Sequence, residues 1–123
     1  MNAVEIEEAI SILSEQEFDP VEFPYAFLEA FGNKETTIKR LRTGNNNKSN
    51  IDGGVLQHNN IHIAVSEEGR VTEVLKQLKE SPATTKAKAK FILATDGKEF
   101  QAEDLNSGET VSCDYRSFHD HFG

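Results

Sequence analysis

The side chains best suited to chemistry are five cations that lie close together in the first half of the chain. They flank a single acid, Glu35, and the segment after them is rich in Asn. Lys and Arg bind phosphate oxygens and Asn pairs with base edges, so this set favours contact with a nucleic acid. The alternative interpretation is an ordinary solvated helix face. The five candidate DNA-binding residues are Lys34, Lys39, Arg40, Arg42 and Lys48.

Four further lysines lie between residues 86 and 98, and three of them alternate with Ala. Alternation is typical of a strand, and Lys on an edge strand discourages pairing with other chains. A second contact with phosphate is the other interpretation, and both stay open at this stage. The four residues are Lys86, Lys88, Lys90 and Lys98.

Histidine and cysteine offer weaker prospects for chemistry. His119 and His121 lie beside an acid, but alternate residues of a helix point apart. A zinc site needs about four convergent ligands, and the chain has one Cys, Cys113, with no base placed beside it. The sequence therefore predicts no metal site, no cofactor site and no catalytic residue in this chain.

Length and composition predict one soluble globular domain over residues 1–123, since 37% of the residues are hydrophobic and 28% charged. No apolar run is long enough to span a membrane, and the first residues lack the basic start and apolar core of a signal peptide. A lone Cys excludes an internal disulfide and fits a reducing compartment. We therefore expect a cytoplasmic protein without membrane contact.

The net charge of −8 is unevenly distributed along the chain. Residues 1–32 carry eight acids and no base, whereas residues 33–50 have a net charge of +4. A polyanion responds to the local field rather than to the total charge, so the total does not exclude nucleic-acid binding. The acidic start supports a different class of function, an acidic protein-interaction module that binds a basic partner without DNA contact.

Apolar periodicity predicts three helices in the first third of the chain. The first covers residues 3–14, and Pro24 suits the first turn of the second, which runs to Phe31. The third covers Glu35–Arg42, with Asn33 as its expected cap, and a polar loop follows at residues 45–50. Half of the eight Phe residues fall in this region and are interpreted as core anchors: Phe18, Phe23, Phe27 and Phe31.

The remainder of the chain combines strands with one amphipathic helix at residues 69–80. The apolar run at 91–95 is typical of a central strand buried on both faces, and Asp96-Gly97 predicts a hairpin turn. The order favours an α+β fold, with N-terminal helices packed on a small, mainly antiparallel sheet and with one central amphipathic helix. The predicted strands cover residues 55–56, 61–65, 91–95, 98–103 and 109–113.

Three stretches taken together resemble a known family. The first is FPYAFLEAFG at residues 23–32, which continues into TIKRLR at 37–42. The second is Gly54-Val55-Leu56 with the strand at 61–65, and the third is AKAKFILATD at 87–96. Their order and spacing resemble the N-terminal domain of MmeI-like DNA methyltransferases, over about residues 20–123.

The resemblance implies that the chain begins a large adenine methyltransferase of a type II restriction–modification system, which uses S-adenosylmethionine. The chain has neither a cofactor loop of the F-x-G-x-G kind nor an N-P-P-Y or D-P-P-Y tetrapeptide. The methyl donor and the transfer would then belong to a C-terminal methyltransferase domain. The fragment alone would be a non-catalytic accessory domain that contacts double-stranded DNA, docks on that domain, or does both.

In restriction-competent members, the corresponding region is a PD-(D/E)XK nuclease, in which carboxylates hold Mg²⁺ and a Lys supports the attacked phosphate. On that pattern Asp52 takes the place of the first carboxylate, and the E-x-K tripeptide falls near His62-Ile63-Ala64. These three residues supply neither a carboxylate nor an ammonium. We therefore expect a degenerate nuclease-like core, with an active Mg²⁺-dependent nuclease as the weaker alternative and a turn as the simplest role for Asp52.

Overall fold

The computed structural model describes residues 3–44, 47–51 and 53–121. Along these residues three α-helices are followed by two strands, two α-helices and three strands, and a 3₁₀ helix, Tyr115–His121, ends them. The α-helices are α1 (Ala3–Glu15), α2 (Phe23–Ala30), α3 (Glu35–Arg42), α4 (Val71–Glu80) and α5 (Pro82–Lys86). The strands are β1 (Val55–Leu56), β2 (Ile61–Val65), β3 (Phe91–Thr95), β4 (Glu99–Asp104) and β5 (Thr110–Asp114).

The five strands form one sheet in sequence order, which confirms the predicted α+β class. Three of the four strand pairs are antiparallel, and β2 pairs with β3 in parallel. A parallel pair needs a crossover, and the segment holding α4 and α5 supplies it. In this register His62 lies opposite Ile92, and Leu93 lies between Ile63 and Ala102.

Helices cover both faces of the sheet, because alternate residues of its central strands point to opposite sides. On one face Ile63 and Leu93 pack with α1, α2 and the 3₁₀ helix, whose Phe118 ring stacks on Phe100 at 4.7 Å. On the other face α4 packs with Ile92 and Ala94. The predicted central strand is therefore confirmed, since four of the five residues of β3 are buried.

The predicted Phe anchors are confirmed as parts of the core. Phe23 and Phe27 are buried on α2, and Phe18 and Phe31 are half-buried against them. The rings pack at 4.7 to 5.7 Å between centroids along this series. Such aromatic pairs stabilise a small core beyond the area that they bury.

Two local predictions are wrong. The alternating lysines do not protect an edge strand, because Lys86 ends α5, Lys88 lies in a turn, and the following strand is central. Asn33 does not cap α3, since Lys34 occupies the N-cap position and makes no side-chain cap bond. The Asn33 amide instead donates to the Leu28 carbonyl, which closes the end of α2.

The predicted Asp96-Gly97 turn is confirmed and also ties two loops together. The Asp96 carboxylate accepts the N–H groups of Lys98 and Glu99 within the turn, and that of Gly69 before α4. Burial acts to raise the pKa of Asp96, but these three backbone donors outweigh it and lower the pKa. The carboxylate therefore anchors the hairpin to the loop that follows β2.

Candidate nucleic-acid interface

The turn at residues 57–60, between β1 and β2, joins the two basic regions of the sequence. On one side the Gln57 amide donates to Asn33 Oδ1 at 3.0 Å, next to Lys34. On the other side the Asn59 N–H donates to the Ala87 carbonyl at 2.8 Å, next to Lys86. The fold therefore brings together segments that are more than fifty residues apart in the chain.

A groove of about 550 Å³ opens beside this turn. Its charged and ionisable side chains are Lys48, His58 and Lys86, and the remaining lining residues are Pro82, Ala83 and Ala87. Lys48 is held there because its N–H donates to the Leu56 carbonyl at the end of β1. We call these six residues the basic groove.

None of the residues that line the basic groove is acidic. Within the part of the chain that the structure describes, no ion pair or hydrogen bond engages the side chains of Lys48, His58 or Lys86. The two lysines are exposed. Uncompensated ammonium groups around a concave surface attract anions, and a phosphate oxygen is the usual acceptor for them in nucleic acids.

The five sequence-predicted binding residues do not form one cluster. Lys39 and Arg40 are exposed on α3, whose buried side presents Ile38 and Leu41 to the core. Lys34 is exposed at the start of α3, and Lys48 lies in the basic groove. The role of all five in DNA binding stays a prediction.

Arg42 is already engaged within the protein. Its guanidinium makes two hydrogen bonds with the Glu22 carboxylate, at 2.8 and 2.5 Å, and lies 4.3 Å from the centre of the Tyr25 ring. These hydrogen bonds lower the pKa of Glu22 and raise that of Arg42. A bidentate pair of this kind competes with phosphate for the same donors.

His62 occupies the position where the nuclease pattern requires a carboxylate. It is fully buried on β2, with Nδ1 2.8 Å from Thr84 Oγ1 and Nε2 2.7 Å from Ser49 Oγ. Thr84 Oγ1 donates to the Leu78 carbonyl, so it accepts from Nδ1–H and leaves Nε2 to accept from Ser49. Burial lowers the pKa of His62 to about 4, so the imidazole is neutral near pH 7.

The arrangement around His62 is structural, because hydrogen bonds occupy both nitrogens of its ring. Ile63 and Ala64 are buried beside it, and no group of three or more potential metal-binding side chains occurs among residues 3–44, 47–51 and 53–121. Asp52, the proposed first carboxylate, lies outside the described residues. What the chain offers at this position is a hydrogen-bonded anchor for the loop before β1.

The remaining chemical candidates are also held by local contacts. His119 Nδ1 lies 3.2 Å from Ser14 Oγ, which joins the 3₁₀ helix to α1, and its Nε2 lies 3.3 Å from the neighbouring Asp120. Burial raises the pKa of the Cys113 thiol, and Asp114 and Asp120 add to the effect. A raised pKa keeps the thiol protonated and unreactive near pH 7.

Sequence reasoning missed His58 as a member of the basic groove. For Lys86 it left open whether the residue protects an edge strand or contacts phosphate. The signal available in the sequence was the pair of basic regions, but their meeting depends on hydrogen bonds made by Gln57 and Asn59 of the turn.

Comparison with known proteins places the chain in a family. The sequence model described as "MmeI, N-terminal domain" matches residues 1–123. The chain belongs to this family. The resemblance seen in the sequence is thereby confirmed, and it extends over the first twenty residues as well.

A curated protein similar to this chain is DNA methyltransferase A from Bacillus subtilis (strain 168). The two sequences are 24% identical over 122 residues, which is 99% of this chain. The chain spans 14% of the length of that relative. No solved structure matches the chain. Among the described residues, no helix combines the length and the apolar character needed to cross a membrane.

Proposed function

We propose that the chain is the N-terminal accessory domain of a longer DNA methyltransferase, and that it contacts double-stranded DNA through the basic groove. Membership of the MmeI N-terminal domain family supports the methyltransferase setting. The observation that carries the DNA contact is the meeting of Lys48, His58 and Lys86 in a groove without an acidic lining residue. The domain itself would position DNA and perform no chemical step.

The methyl-transfer chemistry is assigned to a C-terminal methyltransferase domain of the full-length protein. The 123 residues contain neither a glycine-rich cofactor loop of the F-x-G-x-G kind nor an N-P-P-Y tetrapeptide. S-adenosylmethionine would therefore be bound by that domain. The whole protein would be the site-specific adenine methyltransferase.

Duplex binding tests the proposal. A labelled duplex of about 30 base pairs is titrated by fluorescence anisotropy at about 50 and 200 mM salt. We expect binding that weakens steeply with salt, because each phosphate neutralised adds about 0.9 to the slope of log affinity against log salt. Lys48→Ala/Lys86→Ala should lower that slope by between about 1 and 2.

The matched control is Lys76→Ala/Arg116→Ala, which removes two exposed cations outside the groove. It should leave the slope within about 0.5 of the wild-type value, because those cations contact no phosphate in the proposed complex. A Lys39→Ala/Arg40→Ala variant measures the contribution of α3 separately. Equal losses in the groove variant and the control would assign the binding to net charge and contradict the proposal.

Docking on another part of the protein is a second candidate function, and the outer face of α1 favours it. Val4 and Ile12 are 62% and 55% exposed there, beside the exposed acids Glu8 and Glu15. An apolar stripe among acids suits a basic amphipathic helix. A helical Leu/Lys peptide should bind the wild-type chain and fail to bind Ile12→Asp, whereas the basic-groove variant should bind it normally.

A further inference from the structure

An apolar pocket of about 300 Å³ opens on the other side of the turn at residues 57–60. Phe27, Phe31 and Phe91 form aromatic walls, and aliphatic side chains of α2, β2, β3 and β4 also line the pocket. Its only polar lining residues are Asn33 and Asn60. A concave apolar slot with a few polar groups at its rim is the usual form of a small-ligand site.

Phe91 differs from the other residues of its strand in its exposure to solvent. The other four residues of β3 are buried, but Phe91 is 40% exposed at the start of the strand. An exposed aromatic ring provides a flat surface on which another ring stacks. Its neighbour across β4 is Asp104, whose carboxylate accepts the N–H groups of Asn106 and Ser107.

The amides at the rim are oriented by a shared partner. Gln57 Nε2 donates to Asn33 Oδ1, and Gln57 Oε1 accepts from Asn60 Nδ2. This leaves Asn60 Oδ1 without a protein partner among the described residues. The carboxamides of Asn33 and Asn60 each retain a donor hydrogen as well. A fixed amide with a free acceptor and donor matches the hydrogen-bonding edge of a nucleobase.

Backbone hydrogen bonds of the turn connect the residues of the pocket with those of the basic groove. The Asn60 carbonyl accepts the N–H groups of Lys90 and Phe91, at 2.7 and 3.1 Å, and the Asn59 N–H donates to Ala87 in the groove. One turn therefore lies between an aromatic slot and a set of ammonium groups. Aromatic rings beside a positively charged groove are the elements with which proteins bind single-stranded nucleic acid.

We propose that this pocket binds an unstacked base of a DNA strand whose phosphates lie along the basic groove. The base stacks on Phe91, and its edge meets the Asn60 amide. This inference rests on the proposed function, because the groove supplies the phosphate contacts that bring the base to the pocket.

Two labelled single strands of about 12 nucleotides with equal numbers of phosphates test the inference. One is an oligothymidylate, and the other has abasic sites through its centre. Since their charge is the same, the ratio of their affinities reports base recognition alone. We expect the wild-type chain to prefer the strand with bases by between about fivefold and a hundredfold.

Phe91→Ala should abolish that preference and leave the affinity for the abasic strand unchanged. Phe91→Trp should retain it, because Trp offers a larger stacking surface. The matched control is Val21→Ala, which truncates an exposed apolar residue before α2. It should behave as the wild-type chain does.

Failure of this inference and failure of the proposed function give different results. One result is that the wild-type chain binds the two strands with equal affinity and that Lys48→Ala/Lys86→Ala binds neither. This result overturns the base pocket and leaves the groove as a DNA contact. No binding of duplex or single strand at low salt overturns both. A base preference that survives in Phe91→Ala also overturns the pocket proposal. So does self-association of the wild-type chain that Phe91→Ala abolishes, because the pocket would then bind a second copy of the chain.

Discussion

Among individual side chains, His62 is an ionisable group that the fold removes from water. It is fully buried, and Thr84 and Ser49 occupy its two ring nitrogens. Through Ser49 it ties the loop before β1 to the sheet, so it helps to position Lys48, which directly precedes Ser49. A residue with the chemical character of a general base here serves the stability of a binding surface.

We predict that His62 makes the free energy of unfolding depend on pH. The folded chain holds the pKa of His62 near 4, whereas the unfolded chain takes up a proton near pH 6.5. The stability is therefore complete above pH 6.5 and declines as the pH falls towards 4. The loss at pH 4.5 is about 2 to 3 kcal/mol, measurable by urea unfolding.

The control for this prediction is His62→Gln in the same pH series. Glutamine does not titrate, so the variant should lose this part of the pH dependence even where its overall stability is lower. Identical slopes of stability against pH in the two proteins would show that His62 is solvated in the folded chain, which contradicts the prediction.

Gly97 is a residue whose replacement should be costly for two separate reasons. Its φ is +89°, and an added Cβ would lie 2.5 Å from the Phe18 ring. A left-handed conformation costs about 1 to 2 kcal/mol in a residue with a Cβ, and overpacking adds about 1 to 3 kcal/mol. We therefore expect Gly97→Ala to lower the free energy of unfolding by about 2 to 5 kcal/mol in urea.

Gly108 provides the matched control, since its φ is +80° and an added Cβ would meet nothing within 4 Å. Gly108→Ala should show the backbone cost alone, about 1 to 2 kcal/mol. If the two variants lose the same stability, the Phe18 ring moves aside freely and the packing argument fails.

The elements α2 and α3 show that one surface cation can be engaged within the fold while others on the same helix are not. The Arg42–Glu22 pair joins α3 to the residue before α2, and Tyr25 of α2 lies beside it. Lys39 and Arg40 lie on the same helix without an ion pair among the described residues. Helix periodicity predicts which residues are exposed, but not which of them another element engages.

We predict that Arg42→Ala leaves the salt slope of duplex binding within about 0.3 of the wild-type value, whereas Lys48→Ala lowers it by about 0.9. The reason is that the Arg42 guanidinium is already held in a bidentate pair with Glu22, whereas the Lys48 ammonium has no partner among the described residues. Fluorescence anisotropy at several salt concentrations measures both slopes. A larger effect for Arg42→Ala would mean that DNA displaces Glu22, and α3 would then be the principal contact.

For the molecule as a whole, the fold combines a family relationship to DNA methyltransferases with a site that lacks the groups of a nuclease. The positions that would supply a carboxylate and an ammonium are His62 and Ala64, which are buried in the sheet. The charge of the whole chain is −8, yet the fold gathers cations from two regions at one edge. Binding without cleavage is the activity that we propose from this combination.

We predict no Mg²⁺-dependent nicking of supercoiled plasmid by the purified chain. Metal-assisted hydrolysis needs carboxylates that hold the ion and a group that supports the attacked phosphate. Asp52→Ala should be indistinguishable from the wild-type chain on an agarose gel, with a known nuclease as the positive control. Nicking that requires Mg²⁺ and disappears in Asp52→Ala would establish the nuclease that we argue against.

Local sequence signals predicted the helices and strands within a few residues, because periodicity and turn chemistry act over short distances. The central strand is a clear example, since an unbroken apolar run at residues 91–95 has to be buried on both faces. The lysines before it were ambiguous for the opposite reason. An alternating pattern is shared by a strand and by a turn between two elements, and only the pairing of β3 with β2 and β4 separates them.

By itself the sequence determined the α+β class, the family, the aromatic core and the presence of two basic regions. These properties depend on residue type and on spacing along the chain, and both can be read directly from the sequence. Only the tertiary structure decided which cations remain available. Glu22 is twenty residues from Arg42, and Lys48 and Lys86 meet beside a turn that contains neither of them. Side-chain pairing and convergence depend on distances in space, because electrostatic attraction falls with separation whatever the separation along the chain.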